Sequence, residues 1–152
     1  MSDRPAKRAQ DSYTVQVHLL NQSHLNHYHR LFGGQLMMWM DELAGITARR
    51  HCHRNVTTAC VEKLDFRAAA HINDTVVITG RIVQVGRTSM TVLVHVYVED
   101  LSGEHRLINE AHFVMVALDE NERPTEVPDI LIDTDQEREQ QEIAELLRKA
   151  LR

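Results

Sequence analysis

The sequence predicts an α+β domain: one strand, one long helix, then an antiparallel meander of about four strands, closed by a C-terminal helix. Three observations lead there. A continuous helical period runs from Gly33 to about Cys52, and a period of two follows it without interruption to Leu118. Turn-forming residues then divide that second stretch at regular intervals. At 152 residues and 43% hydrophobic content, the chain is expected to form a single domain with a sizeable core.

Met1 to Ser12 is polar and charged, and is expected to be a mobile arm. Tyr13 to Leu20 alternates apolar and polar residues and predicts the first strand. Asn21 to Phe32 reads as a loop, long enough to suggest a functional one. From Gly33, Leu36, Met40, Leu43 and Thr47, with Met37, Ala44 and Ala48, fall on one broad helical face. Glu42 and Arg49 lie opposite and read as solvated charges, whereas Asp41 stands at the edge of the apolar face.

Thr57 to Phe66, Thr75 to Val85, Thr88 to Glu99 and Arg106 to Leu118 read as the four meander strands. Met90, Val92, Val94, Val96 and Val98 mark one face of the third. In the fourth, Asn109, Ala111, Phe113, Met115 and Ala117 alternate against Ile108, His112, Val114 and Val116. Residues 13 to 118 thus form the expected domain body. Glu120 to Asp135 contains two prolines and reads as an irregular connector. Gln136 to Leu151 predicts an amphipathic helix with Ile143, Leu146, Leu147 and Ala150 on its apolar stripe, so 119 to 152 form an acidic connector and helix.

The net charge of -5 is unevenly distributed, since residues 1 to 118 carry 11 acids and 12 bases, and residues 119 to 152 carry 11 acids and 5 bases. A near-neutral body admits anionic ligands, and no basic stripe points to nucleic acid. Cys52 and Cys60 lack C-x-x-C spacing, and no segment looks like a signal region or a membrane-inserting helix. A cytoplasmic location is therefore expected.

The chemistry concentrates between Asn26 and Asp41. Gly33 and Gly34 open a helix, where first-turn N–H groups and partial positive charge favour an anion or a developing oxyanion. Asp41 could act as general base or nucleophile, and its apolar neighbours should raise its pKa or demand a partner. A carboxylate at a helix edge paired with an arginine remains the alternative. Gly34 and Asp41 lie about two helical turns apart, roughly 10 Å. If both serve one reaction, Asp41 must come from a second copy of the chain. Asn26 could polarise a carbonyl or hold a water, or simply shape the turn.

Ten histidines invite a metal hypothesis, above all His24, His27, His29, His51 and His53. H-x-H in a loop is no dedicated spacing, however, and no metal is expected. No G-x-S-x-G elbow suggests a serine nucleophile.

Three linked runs carry a resemblance: Asn26-His-Tyr-His-Arg-Leu-Phe-Gly-Gly-Gln-Leu-Met-Met-Trp-Met-Asp41, Thr57-Thr58-Ala-Cys-Val-Glu-Lys-Leu-Asp-Phe66, and Val85-Gly86-Arg87-Thr88-Ser89-Met90. In order and context, over about Tyr13 to Leu118, they resemble the hotdog-fold acyl-CoA thioesterases, the cytosolic acyl-CoA hydrolases and their YciA-like bacterial relatives. The resemblance implies a sheet wrapped around the long helix, and hydrolysis of fatty acyl-CoA thioesters. It implies Asp41 as catalytic base or nucleophile, Asn26 assisting from the partner subunit, and Gly33 and Gly34 amides polarising the carbonyl. Thr58 and the Gly86, Arg87, Thr88, Ser89 turn would contact substrate and coenzyme A. It further implies no cofactor beyond coenzyme A itself, and a homodimer as active unit within a trimer of dimers. The chain departs from the family pattern at His29 and Asn73, where glycine is usual, and at Ala69, where proline is. A non-catalytic acyl-CoA-binding or regulatory module on the same fold is the alternative.

Overall fold

The computed structural model describes residues 3–150. In chain order the elements are β1 (Ala6–Arg8), a 3-10 turn (Ala9–Ser12), β2 (Thr14–Leu19), a second 3-10 turn (Gln22–His24), α1 (Gly33–Cys52), β3 (Asn55–Phe66), β4 (Thr75–Val85), β5 (Ser89–Glu99), β6 (His105–Leu118), β7 (Asp129–Leu131) and α2 (Asp135–Ala150). Five strands form one antiparallel sheet in the order β2-β4-β5-β6-β3. This is the hotdog arrangement, with α1 wrapped by the sheet.

The apolar stripe of α1 explains why the sheet curls around it. Leu36, Met40, Leu43, Ala44 and Ala48 join Met90, Val92, Val94, Val96, Phe113 and Met115 in one core cluster. Gly80 on β4 permits the closest approach: a Cβ there would fall 2.5 Å from Leu43 Cδ2 and 2.6 Å from Thr47 Oγ1. The helix therefore packs directly against the β4 backbone.

Strict alternation on β6 breaks at one point. The β5–β6 pairing passes from Val96↔Asn109 to Tyr97↔Leu107, which leaves Ile108 as the extra residue of a bulge. Ile108 consequently joins the core, on the side occupied by Asn109 and Ala111 rather than the opposite one.

The N-terminal segment differs from the mobile arm expected of it. β1 pairs in parallel with β7, Ala6 opposite Asp129, and Ala9 and Ser12 are buried. Three charged or small residues show no readable period, and their partner lies more than a hundred residues away. The same pairing gives the proline-containing connector a strand that its composition does not announce.

α2 lies on the outer face of the sheet. Ala144 packs with Val83 and Leu93, and Arg148 reaches the buried Glu62 carboxylate at 4.0 Å. Ile143 and Leu146, expected on its apolar stripe, are instead 40% and 66% exposed. Leu151, the predicted end of this helix, lies outside the described residues.

Four imidazoles are made harder to protonate by this packing. Burial lowers the pKa of His18, His51, His95 and His112, and only part of this is offset by Glu42 beside His18, by the Pro128 carbonyl bonded to His51, and by Glu110 beside His95 and His112. Between the lowered folded values and the ordinary value of about 6.5, the unfolded chain binds more protons than the folded one. Stability is thus fully present above that ordinary value and is lost as pH falls below it. Thermal melts at constant ionic strength are expected to show a falling Tm from pH 7 to pH 5. A Tm that rises over that range would show that the folded chain holds these imidazoles charged.

Candidate active site

The loop before α1 is more ordered than a structureless connection. Asn21 caps the Gln22–His24 turn, Leu25 bridges Leu31, and Arg30 bridges His71. Asn26 ties the remainder: its Oδ1 accepts from the N–H groups of Tyr28 at 2.9 Å and Arg30 at 3.2 Å, and its own N–H donates to the Arg30 carbonyl at 2.8 Å. His29 takes a left-handed backbone, φ 63°, and donates to the Asn26 carbonyl. It supplies the conformation for which glycine is usual, as Asn73 does at φ 68° in the next turn. At these two positions the chain thus holds a left-handed backbone without glycine.

This loop delivers the chain to Phe32, which begins α1 without any side-chain cap. Among the described residues beyond its own turn, the Phe66 ring at 3.9 Å is what meets the position a Cβ would take on Gly33, so this side of the opening turn of α1 has room. At Gly34 a Cβ would fall 2.6 Å from Phe32 Cε1, so the glycine makes room for that ring. The first-turn amides form a positive end, flanked by the Phe32 and Phe66 rings and suited to a carbonyl oxygen gaining charge.

Asp41 follows two turns later, at the exposed edge of α1, and receives a 2.5 Å hydrogen bond from Thr58 Oγ1 on β3. Thr58 also lies 3.5 Å from Met115 Sδ. The partner of Asp41 is thus a hydroxyl, not an arginine. The pair lines an open groove of about 660 Å³ between α1 and β3, with Gly45, Arg49 and Met115. Arg49, read from sequence as a solvated charge, is exposed but also part of this wall. Its spacing of eight from Asp41, with Gly45 midway, was the available signal, because residues four apart on a helix share a face. Met115 gave no such signal; only strand pairing brings it to Thr58.

A larger cavity of about 890 Å³ adjoins the groove at the C-terminal end of α1, lined by Arg50, His53, Arg54 and Glu120 among others. Two of its cations are engaged: Arg50 donates to Thr14 Oγ1, and Arg54 pairs with Glu120 at 3.8 Å. Among the described residues lining it there is no carboxylate–hydroxyl pair like that of Asp41 and Thr58.

The β4–β5 turn stands apart. Gly86 N–H donates to the Ser89 carbonyl, and a Cβ on Gly86 would fall 2.6 Å from Ser89 Oγ. The Arg87 side chain is 86% exposed and lies 3.7 Å from Glu126. The Thr88 carbonyl accepts from Ala117 N–H. β6 lies between this turn and β3: Ser89 pairs with Val116 and Val116 with Thr57, so Ser89 stands two strand spacings, about 10 Å, from β3. Within one chain, three groups therefore stay separate: Asn26 with Gly33 and Gly34, Asp41 with Thr58, and the Gly86–Ser89 turn.

The histidines do not converge. His24 meets the Trp39 ring edge-on, His27 packs on Tyr28, and His51 Nε2 bonds the Pro128 carbonyl. Among the described residues, no group of three or more His, Cys, Asp or Glu could hold a metal ion. Cys52 and Cys60 are free thiols, the first buried and the second exposed. No described helix is long and apolar enough to cross a membrane.

Residues 28–103 match the model of the thioesterase superfamily, half of the chain. The chain belongs to that superfamily. It is 38% identical over 113 residues to the uncharacterized acyl-CoA thioester hydrolase YkhA of Bacillus subtilis, an alignment covering 74% of this chain and 66% of that protein. This superfamily member thus spans just under two thirds of that relative's length. Among solved structures it resembles an apo-hexameric acyl-CoA thioesterase, with TM-score 0.92, 33% identity, and coverage of 96% of this chain and 94% of the other. It also resembles an acyl-CoA hydrolase of Staphylococcus aureus, solved as an Asn-to-Ala variant with coenzyme A, with TM-score 0.92, 29% identity, and coverage of 97% and 89%. Asp-to-Ala and Thr-to-Ala variants of that hydrolase superpose equally well, both with TM-score 0.91.

Proposed function

We propose that the protein hydrolyses the thioester of fatty acyl-CoA, releasing a fatty acid and coenzyme A. The observation that carries this reading is Asp41, hydrogen-bonded by Thr58 in an open groove beside β3, the edge strand of the sheet. In the S. aureus hydrolase, the replaced asparagine, aspartate and threonine stand fifteen and seventeen residues apart. Asn26, Asp41 and Thr58 have the same two spacings. That coincidence supports giving all three a part in the reaction.

The active unit is a homodimer, for a geometric reason. β3 is a twelve-residue edge strand whose outer backbone groups are unpaired within the sheet. Its Thr58 end carries Asp41, and its Phe66 end lies beside Gly33. An antiparallel pairing of two β3 strands centred between those ends sets Asp41 of one chain against the partner's Gly33, Gly34 and Asn26. The separation found along α1 then becomes an advantage. Three such dimers would make a hexamer, the state named for the apo-hexameric thioesterase.

In this arrangement the thioester oxygen rests on the amides of Gly33 and Gly34, with the Asn26 amide beside it. Asp41 either takes a proton from the attacking water, or attacks the carbonyl carbon itself to give an anhydride that water then hydrolyses to release the fatty acid and restore the carboxylate. On either route the carbon–sulfur bond breaks, and the coenzyme A thiolate leaves and is protonated. Thr58 fixes the carboxylate, while Arg87, Thr88, Ser89 and the Gly86 backbone hold coenzyme A, the arginine pairing with phosphate. A cytoplasmic location fits this substrate and the two free thiols.

Free-thiol release measured across acyl-CoAs from short to long chain tests the reading. Turnover of at least one substrate class is expected, and no thiol release from any would sink it.

A further inference from the structure

Asn109 is the polar residue on the inner face of β6 that the mechanism above does not use. It is 1% exposed, and neither its Oδ1 nor its Nδ2 has a hydrogen-bond partner among the described residues. Its place is defined by strand register: Phe66 on β3, Asn109 on β6 and Val96 on β5 form one row across the sheet. Val94, Val96, Ile108 and Ala111 around it belong to the apolar core that faces α1.

A carboxamide offers two donors and an acceptor, and leaving all of them unpaired in an apolar interior is costly. Leucine has the same branched outline and would fill the position without that cost. A buried unpaired group of this kind calls for a reason beyond the free fold. Its neighbourhood suggests one. Phe66, next in the row, is the ring that approaches Gly33, and at 55% exposed it has room to move. Phe66 thus links the opening turn of α1, where the proposed mechanism holds the carbonyl, to Asn109 beside it in the sheet.

We propose that Asn109 is a specificity-determining residue that hydrogen-bonds an oxygen substituent on the acyl group, so that the enzyme favours hydroxy- or oxo-acyl-CoA over the plain acyl ester. This rests on the thioesterase reading and names a substrate class for the same site. The unpaired amide is then a stability cost retained for recognition.

The test compares full-length wild type with Asn109→Leu by thiol release from butyryl-CoA and from hydroxybutyryl-CoAs hydroxylated at the second, third or fourth carbon. Wild type is expected to show the higher kcat/KM with at least one hydroxylated ester. Asn109→Leu should lower that preference about tenfold, as loss of one buried hydrogen bond does. Butyryl-CoA turnover should persist, and the melting temperature of the free variant should equal or exceed that of wild type. An unchanged substrate ratio overturns the proposal. So does a lowered melting temperature with both substrates lost in parallel, which would make the amide a structural group. If the leucine variant does not fold, Asn109→Ala is read on the same ratio, with the same two outcomes. Wild type that cleaves butyryl-CoA without preferring any hydroxylated ester refutes this inference alone, whereas wild type inert toward all of them removes the thioesterase reading as well.

Discussion

Asp41→Asn is expected to reduce thiol release from acyl-CoA by roughly a hundred- to ten-thousandfold, the range lost when a positioned base is removed. The substitution keeps an oxygen that can accept the 2.5 Å hydrogen bond from Thr58, and the side chain is exposed in the chain. Melting temperature and oligomeric state should therefore match wild type, as for surface substitutions away from a packing feature. Loss of rate without loss of fold is the signature of a group acting on the substrate. Thr58→Val, which removes the hydroxyl that fixes the carboxylate, should cost roughly ten- to hundredfold. If Asp41→Asn turned over substrate at the wild-type rate, the groove between α1 and β3 would not be the reaction centre.

Mixing two inactive chains gives the second large effect. Asn26→Ala and Asp41→Asn subunits, denatured and refolded together in equal amounts, should recover about a quarter of wild-type activity. In a two-fold dimer half of the pairs are mixed, and one of the two sites in each mixed pair is intact. The reason lies in α1: Gly34 and Asp41 sit on one rigid helix about 10 Å apart, so neither can reach the other's reactants. Mixed dimers demonstrated by mass spectrometry but showing no activity would place Asn26 and Asp41 of a single chain in one site, against the pairing of two β3 edges.

How much of this was legible without coordinates depends on how local each determinant is. The α1 stripe and the alternation of β5 are set by neighbouring residues, and the structure reproduces them: Leu36, Met40, Leu43, Ala44 and Ala48 are buried, as are all five inward residues of β5. The Ile108 bulge was not legible, because it arises from a mismatch in pairing between two strands rather than from either strand alone. β1 and β7 were missed for a related reason, since a three-residue strand has too few positions to show a period and exists only through its partner. The candidate site divides in the same way. Asn26, the two glycines and Asp41 stand in one continuous stretch, so their residue types and the helical rise between them could be read directly.

Thr58 reached Asp41 only through the packing of β3 beside α1, and Arg49 entered the groove wall only once that groove existed. Sequence by itself determined the long helix, the meander, and the carboxylate and glycines too far apart to serve one carbonyl from one chain. Those are properties of period and rise, fixed by covalent geometry. Tertiary structure decided which hydroxyl holds Asp41, which strand edge is left open beside it, and that Asn109 is buried without a partner. Such properties depend on which distant segments share a surface, and that follows from how the whole sheet closes on the helix.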